Sequence, residues 1–534
     1  MRFLRVLMVV YSLVASLLLY LSLPNCISRF GFWPLGWVFA IPLFMALPEK
    51  NSLQRLKVGF LFGIIFYALI MFWLLPLNGL GYLSLVLVFS TQPIIFCFLY
   101  KKIKFSDSQQ LFSIERIADL IYVPALWVTT EFLRTLLLGG FSWTIGHSQS
   151  FFPLNIQLAN VGGVYGISFA LILFNYCIYR VIQNYTQSYF YGGVALGLLS
   201  VICIYGYFSI VDQLGKEKNK NPLEICAIQP NISTKVKWNQ ALLDQVVDEH
   251  VHLTRECLLK KRPDFIVWPE TAIPDDFIKD LSLRRKITQI AHEVKTTLLL
   301  GAALYENDRY YNTAVLLNGQ GTVLDIYRKK HLIPFSEYLP WGRYLNSLRQ
   351  IFSLNVVDFY RGESPGIMTL AKRNTRPELG FQKFGVAICS EDGYPELFRK
   401  LVQSRAGFVV VMLNDAWFEQ KTALALHAQF SIMRAVENGI SVVRAANSGW
   451  SCSIAPSGHI RSSLTGRDGD FLRTSGVGRF LIFLGTPKTF YNQYGDIFAV
   501  FCSGFVIISF MILIIRSKKL KNIAADFMIS KKIR

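Results

Sequence analysis

Long uncharged apolar runs recur along the first 211 residues of the chain and again near its C-terminus. Residues 58–100 contain no Asp, Glu, Lys or Arg, and neither do residues 135–179 and 181–211. A bilayer core takes about 20 apolar residues in helical form, so each such run predicts a membrane-spanning helix. The pattern predicts seven early spans and one late span. Their predicted boundaries are 3–23, 30–47, 58–77, 80–100, 118–138, 159–179, 191–211 and 496–515.

Between residues 222 and 485 the pattern changes to short apolar runs that alternate with longer amphipathic stretches. "LEICAIQP" is followed by "NQALLDQVVDEHVHLTRECLLKKR", and "DFIVWPE" is followed by "LRRKITQIAHEVKT". Strand-like runs separated by helical periodicity predict helices packed on a sheet. We therefore predict a helical bundle at 1–211, an α/β domain at 222–485, a final span at 496–515 and a basic tail at 516–534.

The composition is typical of a membrane protein, because 52% of the residues are hydrophobic and the mean hydropathy is +0.36. The formal net charge is +20, but the basic residues lie largely beside the apolar runs. Membrane topology therefore accounts for this charge, and nucleic-acid binding is not indicated. Arg2 and Arg5 flank the first span and the tail begins with "RSKKLKN". Both termini are expected in the cytoplasm and residues 222–485 on the opposite side, although the basic loop 215–221 runs against this orientation.

Nine cysteines are scattered along the chain without a CxxC pair or a Cys/His spacing that suits zinc. We therefore expect no metal site, and the chemistry considered below requires no organic cofactor. In the domain across the membrane, Cys226, Cys257 and Cys452 are most simply buried thiols, and a disulfide between two of them remains open.

Three predicted strands end on reactive side chains. "DFIVWPET" carries Glu270, "TVLDIYRKKHL" carries Lys329 and Lys330, and "FGVAIC" ends on Cys389. A carboxylate can take the proton of a thiol, the thiolate can attack a carbonyl, and an ammonium can stabilise the resulting oxyanion. Taken alone, each residue is more often structural, since free cysteines are usually buried and most Lys and Glu are solvated.

Three segments together resemble the signature segments of the nitrilase, or carbon–nitrogen hydrolase, superfamily. They are "VWPETAIP", "YRKKHLIPFSEYLP" and "AICSEDGYPE". With a membrane bundle in front, the chain resembles the apolipoprotein N-acyltransferase family over nearly its whole length. Further matching segments are "IQPNISTKVKW", "NDAWF", "FSIMRAVENGISVVRAANSGWSCSIAPSGHI" and the bundle segment "GGFSWTIGHSQ" at 139–149. The resemblance implies an eight-helix bundle joined to an exported nitrilase-like α-β-β-α sandwich.

The resemblance also implies an activity. A thiol takes a fatty acyl chain from a membrane phospholipid and passes it to the α-amino group of the diacylglyceryl-modified N-terminal cysteine of an apolipoprotein. By this resemblance Glu270 is the general base, Lys329 the oxyanion-stabilising lysine and Cys389 the acyl-carrying nucleophile. Lys329 is preferred to Lys330 because it has the family's Tyr-Arg-Lys register and lies eight residues before Glu337.

Five supporting residues follow from the same resemblance. Glu337 resembles an additional essential carboxylate near the lysine, and Glu391 resembles a site carboxylate two residues after the nucleophile. Trp238 and Trp417 resemble aromatic residues on loops beside the lipid entrance, although interfacial anchoring or packing explains them equally well. Arg434 resembles an arginine of the family and is equally expected to be a structural ion-pair partner.

The chain departs from the family pattern at two positions. Ser390 stands where an aromatic residue is common, and Glu419 stands where a glycine is usual. The first is expected to change the wall of the acyl pocket, and the second the flexibility of a loop.

An acyl chain does not leave lipid readily, because each buried CH₂ contributes about 0.8 kcal/mol, so the site is expected to face the bilayer. The expected partners are a phospholipid donor, diacylated apolipoproteins and the membrane, for a monomer in a bacterial inner membrane with a periplasmic catalytic domain. A membrane-tethered amidase that passes the acyl group to water is one alternative. A noncatalytic membrane scaffold or transporter is another.

Overall fold

The structure is a computed structural model with two parts, a bundle of apolar helices and a layered α/β domain. It describes residues 2–48, 51–100, 114–183, 187–218, 220–259, 261–334, 336–338, 358–370, 382–485 and 489–532. The helices before the α/β domain are α1 (Arg2–Ser22), α2 (Ala40–Ala46), α3 (Ser52–Ile70), α4 (Gly79–Leu99), α5 (Ile114–Leu137), α6 (Pro153–Ile156), α7 (Ala159–Gln183) and α8 (Ser188–Glu217). The later helices are α9 (Thr234–Lys237), α10 (Leu243–Leu258), α11 (Leu281–Val294), α12 (Pro395–Gln403), α13 (Lys421–Asn438), α14 (Phe490–Tyr494) and α15 (Ile497–Lys532).

Among the described residues, six helices are long and apolar enough to cross a membrane, namely α1, α3, α4, α5, α7 and α8. The predicted count of eight is therefore not confirmed. The predicted span 30–47 contains a 3₁₀ turn, Trp33–Trp37, followed by the short helix α2. Gly36 favours helix weakly, and Val38 at the end of the turn has φ −131°, outside the helical range, which breaks the helix before α2. The predicted span 496–515 overlaps α15, of which Ile497–Ile512 is a shorter apolar stretch.

Several helices, among them α3 and α8, extend beyond their predicted spans into polar sequence. Helix α3 begins at Ser52 rather than at 58, because the Asn51 side chain accepts a hydrogen bond from the Gln54 N–H and so caps the helix. Helix α8 continues past the predicted end at 211 to Glu217. Counting uncharged residues finds the apolar core of a span, but a helix ends where its backbone groups find other partners.

The α/β domain contains two six-stranded sheets. The first has the order β12-β1-β2-β3-β4-β5 and the second the order β11-β10-β9-β8-β7-β6. Their strands are β1 (Leu223–Gln229), β2 (Phe265–Val267), β3 (Thr297–Glu306), β4 (Arg309–Leu317), β5 (Val323–Arg328), β6 (Ile367–Leu370), β7 (Gln382–Ile388), β8 (Phe408–Leu413), β9 (Ser441–Ala446), β10 (Cys452–Ile454), β11 (Ile460–Ser463) and β12 (Gly476–Ile482). In each sheet the central strands pair in parallel and the outer strands antiparallel.

The two sheets pack face to face, with helices on their outer faces. Phe265 of the first sheet meets Phe384 of the second at a ring-centroid distance of 5.1 Å, and Phe384 stacks on Phe408 at 5.3 Å. Helices α10 and α11 pack on the first sheet in one apolar cluster. Helices α12 and α13 cover the second sheet, and their apolar cluster continues into the membrane bundle. The predicted α-β-β-α layering is present. The second helix layer, α12 and α13, lies between the second sheet and the bundle.

The domain is fixed to the bundle by buried polar contacts. The Val164 N–H of α7 donates to Oε1 of Glu437 at 3.1 Å. The Val164 N–H is free to donate to Glu437 because helix α7 is interrupted at Gly163. Gly163 has φ 61° and lies under the ring of Tyr491.

A disulfide joins Cys226 of β1 to Cys257 of α10. This answers the question that the sequence left open for these two cysteines. Cys452 is a buried free thiol.

Candidate active site

The three residues expected to carry the chemistry follow the ends of three strands. Glu270 lies just after β2, Lys329 directly after β5 and Cys389 directly after β7. Cys389 has φ 54°, a left-handed conformation that costs a non-glycine residue about 1–3 kcal/mol. The strand therefore turns sharply at the thiol.

Lys329 occupies the centre of a buried charged cluster. Its side chain is 1% exposed, and its Nζ lies 2.9 Å from Oε1 of Glu337 and 3.6 Å from Oε1 of Glu270. Burial alone lowers the pKa of the Lys329 ammonium, but the carboxylates of Glu337 and Glu270 outweigh burial and raise the pKa overall. Lys329 is therefore a fixed positive charge and not a proton acceptor.

Asn312 completes this cluster, and sequence reasoning missed it. Its Nδ2 donates to Oε1 of Glu270 at 2.7 Å and to Oε1 of Glu337 at 3.2 Å. The side chain comes from the middle of β4, within the run "NTAVLLNG". The available signal was a buried amide in an otherwise apolar strand, since buried polar groups require partners.

The thiol of Cys389 is held in its neutral form. Burial raises the pKa of the thiol well above its ordinary value, and the carboxylate of Glu270 raises it further, while Lys329 opposes both. A neutral thiol is a weak nucleophile, so a base must remove its proton during attack.

Glu391 connects the two strand ends that carry Lys329 and Cys389. It is fully buried and accepts hydrogen bonds from the Tyr327 hydroxyl and from the backbone N–H groups of Lys330, His331 and Ile388. All four donors flank the catalytic candidates in sequence. Glu391 therefore orients the site through the backbone.

A second buried network lies beneath the turn that carries Cys389. Asp392 accepts hydrogen bonds from Ser431 at 2.6 Å and from Arg444 at 2.9 Å. His427 lies between the two carboxylates, with Nδ1 2.8 Å from Asp415 and Nε2 3.2 Å from Asp392. Burial lowers the pKa of His427, but Asp415 and Asp392 outweigh burial and raise it to about 10. The network is therefore a set of ion pairs that fixes the turn.

Among the described residues, one group has atoms close enough to hold a metal ion. The ligand atoms of Cys389, Asp415 and His427 all lie within 4.8 Å of one another. Both nitrogens of His427 already face carboxylates, and the raised pKa keeps the ring protonated, so it has no lone pair for a metal. We assign Asp415 and His427 to the ion-pair network.

The remaining predicted residues lie at different places. Trp238 and Trp417 are 38% and 48% exposed; Trp238 directly follows α9, and Trp417 is the last residue of a 3₁₀ turn, Asp415–Trp417. Arg434 is fully buried and pairs with Glu437 at 2.9 Å, in the contact with α7. The structure therefore places Arg434 in the ion pair that the sequence offered as an alternative.

The two departures from the family pattern differ in exposure. Ser390 follows Cys389, and its Oγ is buried without a hydrogen-bond partner among the described residues. Glu419 is exposed, directly after Phe418.

A loop of the bundle contacts the turn that carries Cys389. The Ser142 N–H donates to the Gly393 carbonyl at 3.0 Å. The ring of Phe141 lies 5.8 Å from Tyr394 and 5.1 Å from Phe430, centroid to centroid. Both loop residues belong to the segment 139–149 that resembles the family. The turn of Cys389 thus lies against the bundle.

A second contact brings the bundle to the loop of Trp417. Phe418, the next residue, meets Trp73 at a ring-centroid distance of 4.8 Å. Trp73 lies just after α3, one of the six helices long and apolar enough to span a membrane.

Comparison with known proteins gives two family matches. Residues 225–472 match the carbon-nitrogen hydrolase family, and residues 15–177 match the apolipoprotein N-acyltransferase N-terminal domain.

Curated relatives match along most of the chain. A protein of Geobacter metallireducens named apolipoprotein N-acyltransferase is 32% identical over 92% of this chain and 92% of its own length. A protein of the same name from Wigglesworthia glossinidia brevipalpis is 28% identical over 87% of this chain and 93% of its own.

Solved structures match the α/β domain. Nit3 of Saccharomyces cerevisiae, a nitrilase superfamily member, is 16% identical, with a TM-score of 0.37 over 49% of this chain and 90% of its own. An amidase from Nesterenkonia sp. is 19% identical, with a TM-score of 0.36 over 51% of this chain and 92% of its own.

Proposed function

The chain belongs to the apolipoprotein N-acyltransferase family, and we propose that it moves a fatty acyl chain from a membrane phospholipid to an apolipoprotein through a thioester on Cys389. The acceptor is the α-amino group of the S-diacylglyceryl-cysteine at the apolipoprotein N-terminus. The observation that carries this proposal is the buried cluster of Glu270, Lys329 and Glu337. The charges of this cluster act on the pKa of the Cys389 thiol. A loop of the bundle also contacts the turn that carries Cys389.

In the first half-reaction Glu270 takes the proton of the Cys389 thiol as the sulfur attacks the ester carbonyl of the phospholipid. The ammonium of Lys329 stabilises the oxyanion, and its raised pKa keeps it charged while it does so. The C–O bond of the ester then breaks, and the lysophospholipid leaves with the proton from Glu270. The enzyme retains the acyl group as a thioester.

In the second half-reaction the neutral amine of the acceptor attacks the thioester. Glu270 accepts the proton that the amine loses, and the C–S bond breaks to give the amide and the thiol. Because the two substrates never need to be bound together, the kinetics are ping-pong. Glu337 and Asn312 hold Lys329 and Glu270 in place throughout. Glu391 holds the backbone around them.

The acyl chain enters from the membrane side of the domain. Trp238 and Trp417 line this entrance, a role supported by their exposure and by the contact of the neighbouring Phe418 with the bundle. Arg434 supports the docking of the domain through Glu437 and does not contact substrate.

We place residues 222–485 in the periplasm of a bacterial inner-membrane protein, with both termini in the cytoplasm. The disulfide between Cys226 and Cys257 supports this side, because disulfides persist in oxidising compartments. The bundle is residues 1–211, residues 496–515 form the last membrane segment, and 516–534 form a basic tail. The protein acts as a monomer.

Intact-mass and peptide mass spectrometry of the purified protein incubated with phospholipid tests this function. The expected result is a mass gain of one acyl group on the Cys389 peptide, absent in Cys389→Ser. Addition of a diacylglyceryl peptide is expected to discharge the adduct with formation of an amide. Wild-type protein that never acquires the adduct would overturn the proposal, and discharge to free fatty acid that the peptide does not accelerate would instead identify a hydrolase.

A further inference from the structure

One lysine near the site has no role in the steps above. Lys237 ends the short helix α9, and it is the one buried residue in the exposed or half-buried segment 231–242. Its side chain is 1% exposed, whereas Lys235 and Trp238 on the same segment are exposed. An ammonium on a surface segment normally extends into water, so the inward direction of Lys237 calls for a specific partner.

That partner is the backbone of the proposed general base. The Nζ of Lys237 donates to the Glu270 carbonyl at 2.8 Å. From the other side Gly301 packs so closely that an added Cβ would lie 2.4 Å from the Pro269 carbonyl oxygen. The next residue, Thr271, has φ 45°, a conformation that is costly for a β-branched side chain. The turn of Glu270 is thus strained and held between a strand and an ammonium.

The charge of Lys237 also acts on the reacting groups. Burial lowers the pKa of the Lys237 ammonium to about 7, while Glu270 and Cys389 act in the opposite direction and favour the charged form. His250 faces the same region, and its pKa is lowered to about 3 by burial and by Lys237 among other causes, so it is neutral. With a pKa of about 7 the Lys237 amine titrates near neutral pH, and its protonated form adds positive charge beside the carboxylate of Glu270 and the thiol of Cys389.

We infer that Lys237 is a positioning residue that couples the exposed Trp238 segment to the Glu270 turn. This inference rests on the proposed function. Lys237 and Trp238 are adjacent in the chain, so a substrate that orders the segment at Trp238 also seats the ammonium on the Glu270 carbonyl. Occupation of the entrance then reinforces the alignment of Glu270 with the thiol.

The test compares three variants of the full-length protein in phospholipid nanodiscs. Lys237→Met keeps the length of the side chain and removes the charge, Lys237→Arg keeps the charge, and Lys235→Met is the matched control on the same helix. The readouts are the rate of acyl-adduct formation on Cys389 by mass spectrometry, its KM and kcat for phospholipid, and the thermal melting midpoint.

We expect Lys237→Met to form the adduct at least tenfold more slowly while its melting midpoint stays equal or rises. The melting midpoint does not fall with the rate, because burying an ammonium is costly and an apolar side chain of similar volume avoids that cost. The loss is expected in kcat more than in KM. Lys237→Arg is expected to recover part of the rate, and Lys235→Met to behave as wild type.

The outcomes separate this inference from the proposed function. If wild-type protein forms no adduct, the proposed function fails. If wild type forms the adduct and Lys237→Met matches its rate, the inference fails while the function stands. A slow Lys237→Met variant with a lowered melting midpoint, and no recovery in Lys237→Arg, would show a purely structural lysine and also overturn the inference.

Discussion

Replacing Gly393 with alanine tests whether the bundle positions the nucleophile. A Cβ at Gly393 would lie 2.3 Å from Cε2 of Phe141 and 2.6 Å from Cδ2. Carbon atoms in contact are normally about 3.5–4.0 Å apart, so the turn and the ring must separate by about 1 Å. Gly393 lies four residues after Cys389, and the loop of Phe141 is held to this turn by the Ser142 hydrogen bond.

The size of the expected effect follows from that displacement. A misplacement of about 1 Å at a reacting group costs about 100-fold in rate. Overpacking of a buried contact costs about 1–3 kcal/mol in stability. We therefore expect Gly393→Ala to slow adduct formation on Cys389 by about two orders of magnitude, with the protein still folded and inserted.

The assay is the rate of acyl-adduct formation by mass spectrometry, with the thermal melting midpoint in detergent measured in parallel. Gly407→Ala is the matched control, because its added Cβ meets its nearest atom, Cδ2 of Leu484, at an ordinary 3.5 Å. Removing the ring in Phe141→Ala/Gly393→Ala is expected to restore much of the rate. Wild-type rate and stability in Gly393→Ala would refute the contact between bundle loop and nucleophile turn.

Three further predictions concern groups around the site. Glu391→Gln points an amide N–H at backbone N–H groups, which only donate. We therefore expect the free energy of unfolding to fall by about 1–3 kcal/mol and adduct formation to slow. An unchanged melting curve would contradict this. Asn312→Leu removes a hydrogen-bond donor from the carboxylates of Glu270 and Glu337. We expect adduct formation to be about 10- to 100-fold slower in a stopped time course. An unchanged rate would count against a supporting role for Asn312. The pKa of His427 is raised, so its stabilisation is complete below about pH 6.5 and is lost as the pH rises through about 10. The difference in melting midpoint between wild type and His427→Asn should therefore be largest at acidic pH and shrink towards alkaline pH, and a constant difference would exclude the ion pairs.

Local patterns were sufficient to predict much of this fold. The runs "LEICAIQP", "DFIVWPE" and "FGVAIC" correspond to β1, β2 and β7, and the helical stretch predicted at "LRRKITQIAHEVKT" is α11. These predictions succeed because periodicity records which face of an element is buried. The strand-end positions of Glu270, Lys329 and Cys389 also follow from the sequence, and their catalytic roles remain proposals.

Other features depend on contacts that no local pattern encodes. Asn312 lies in the middle of a strand and Lys237 on a surface segment. The role of each depends on a hydrogen bond to a residue far away in the chain. The two carboxylates around His427 come from separate loops, 35 and 12 residues away in sequence. The broken second span was missed because hydropathy does not record backbone conformation, here the non-helical φ of Val38.

The pairing of β1 with β12 has a mechanical consequence. Leu223, which follows α8, is directly opposite Ile482, which precedes α14, so both covalent links to the bundle leave from one edge of the first sheet. Two links that emerge side by side act as a hinge. They do not oppose rotation of the domain about the line that joins them. The remaining restraint comes from contacts farther out, such as those of Ser142 and Glu437. Weakening these contacts would let the sandwich tilt relative to the bundle while it stays attached, and so open the contact between the bundle loop and the turn of Cys389.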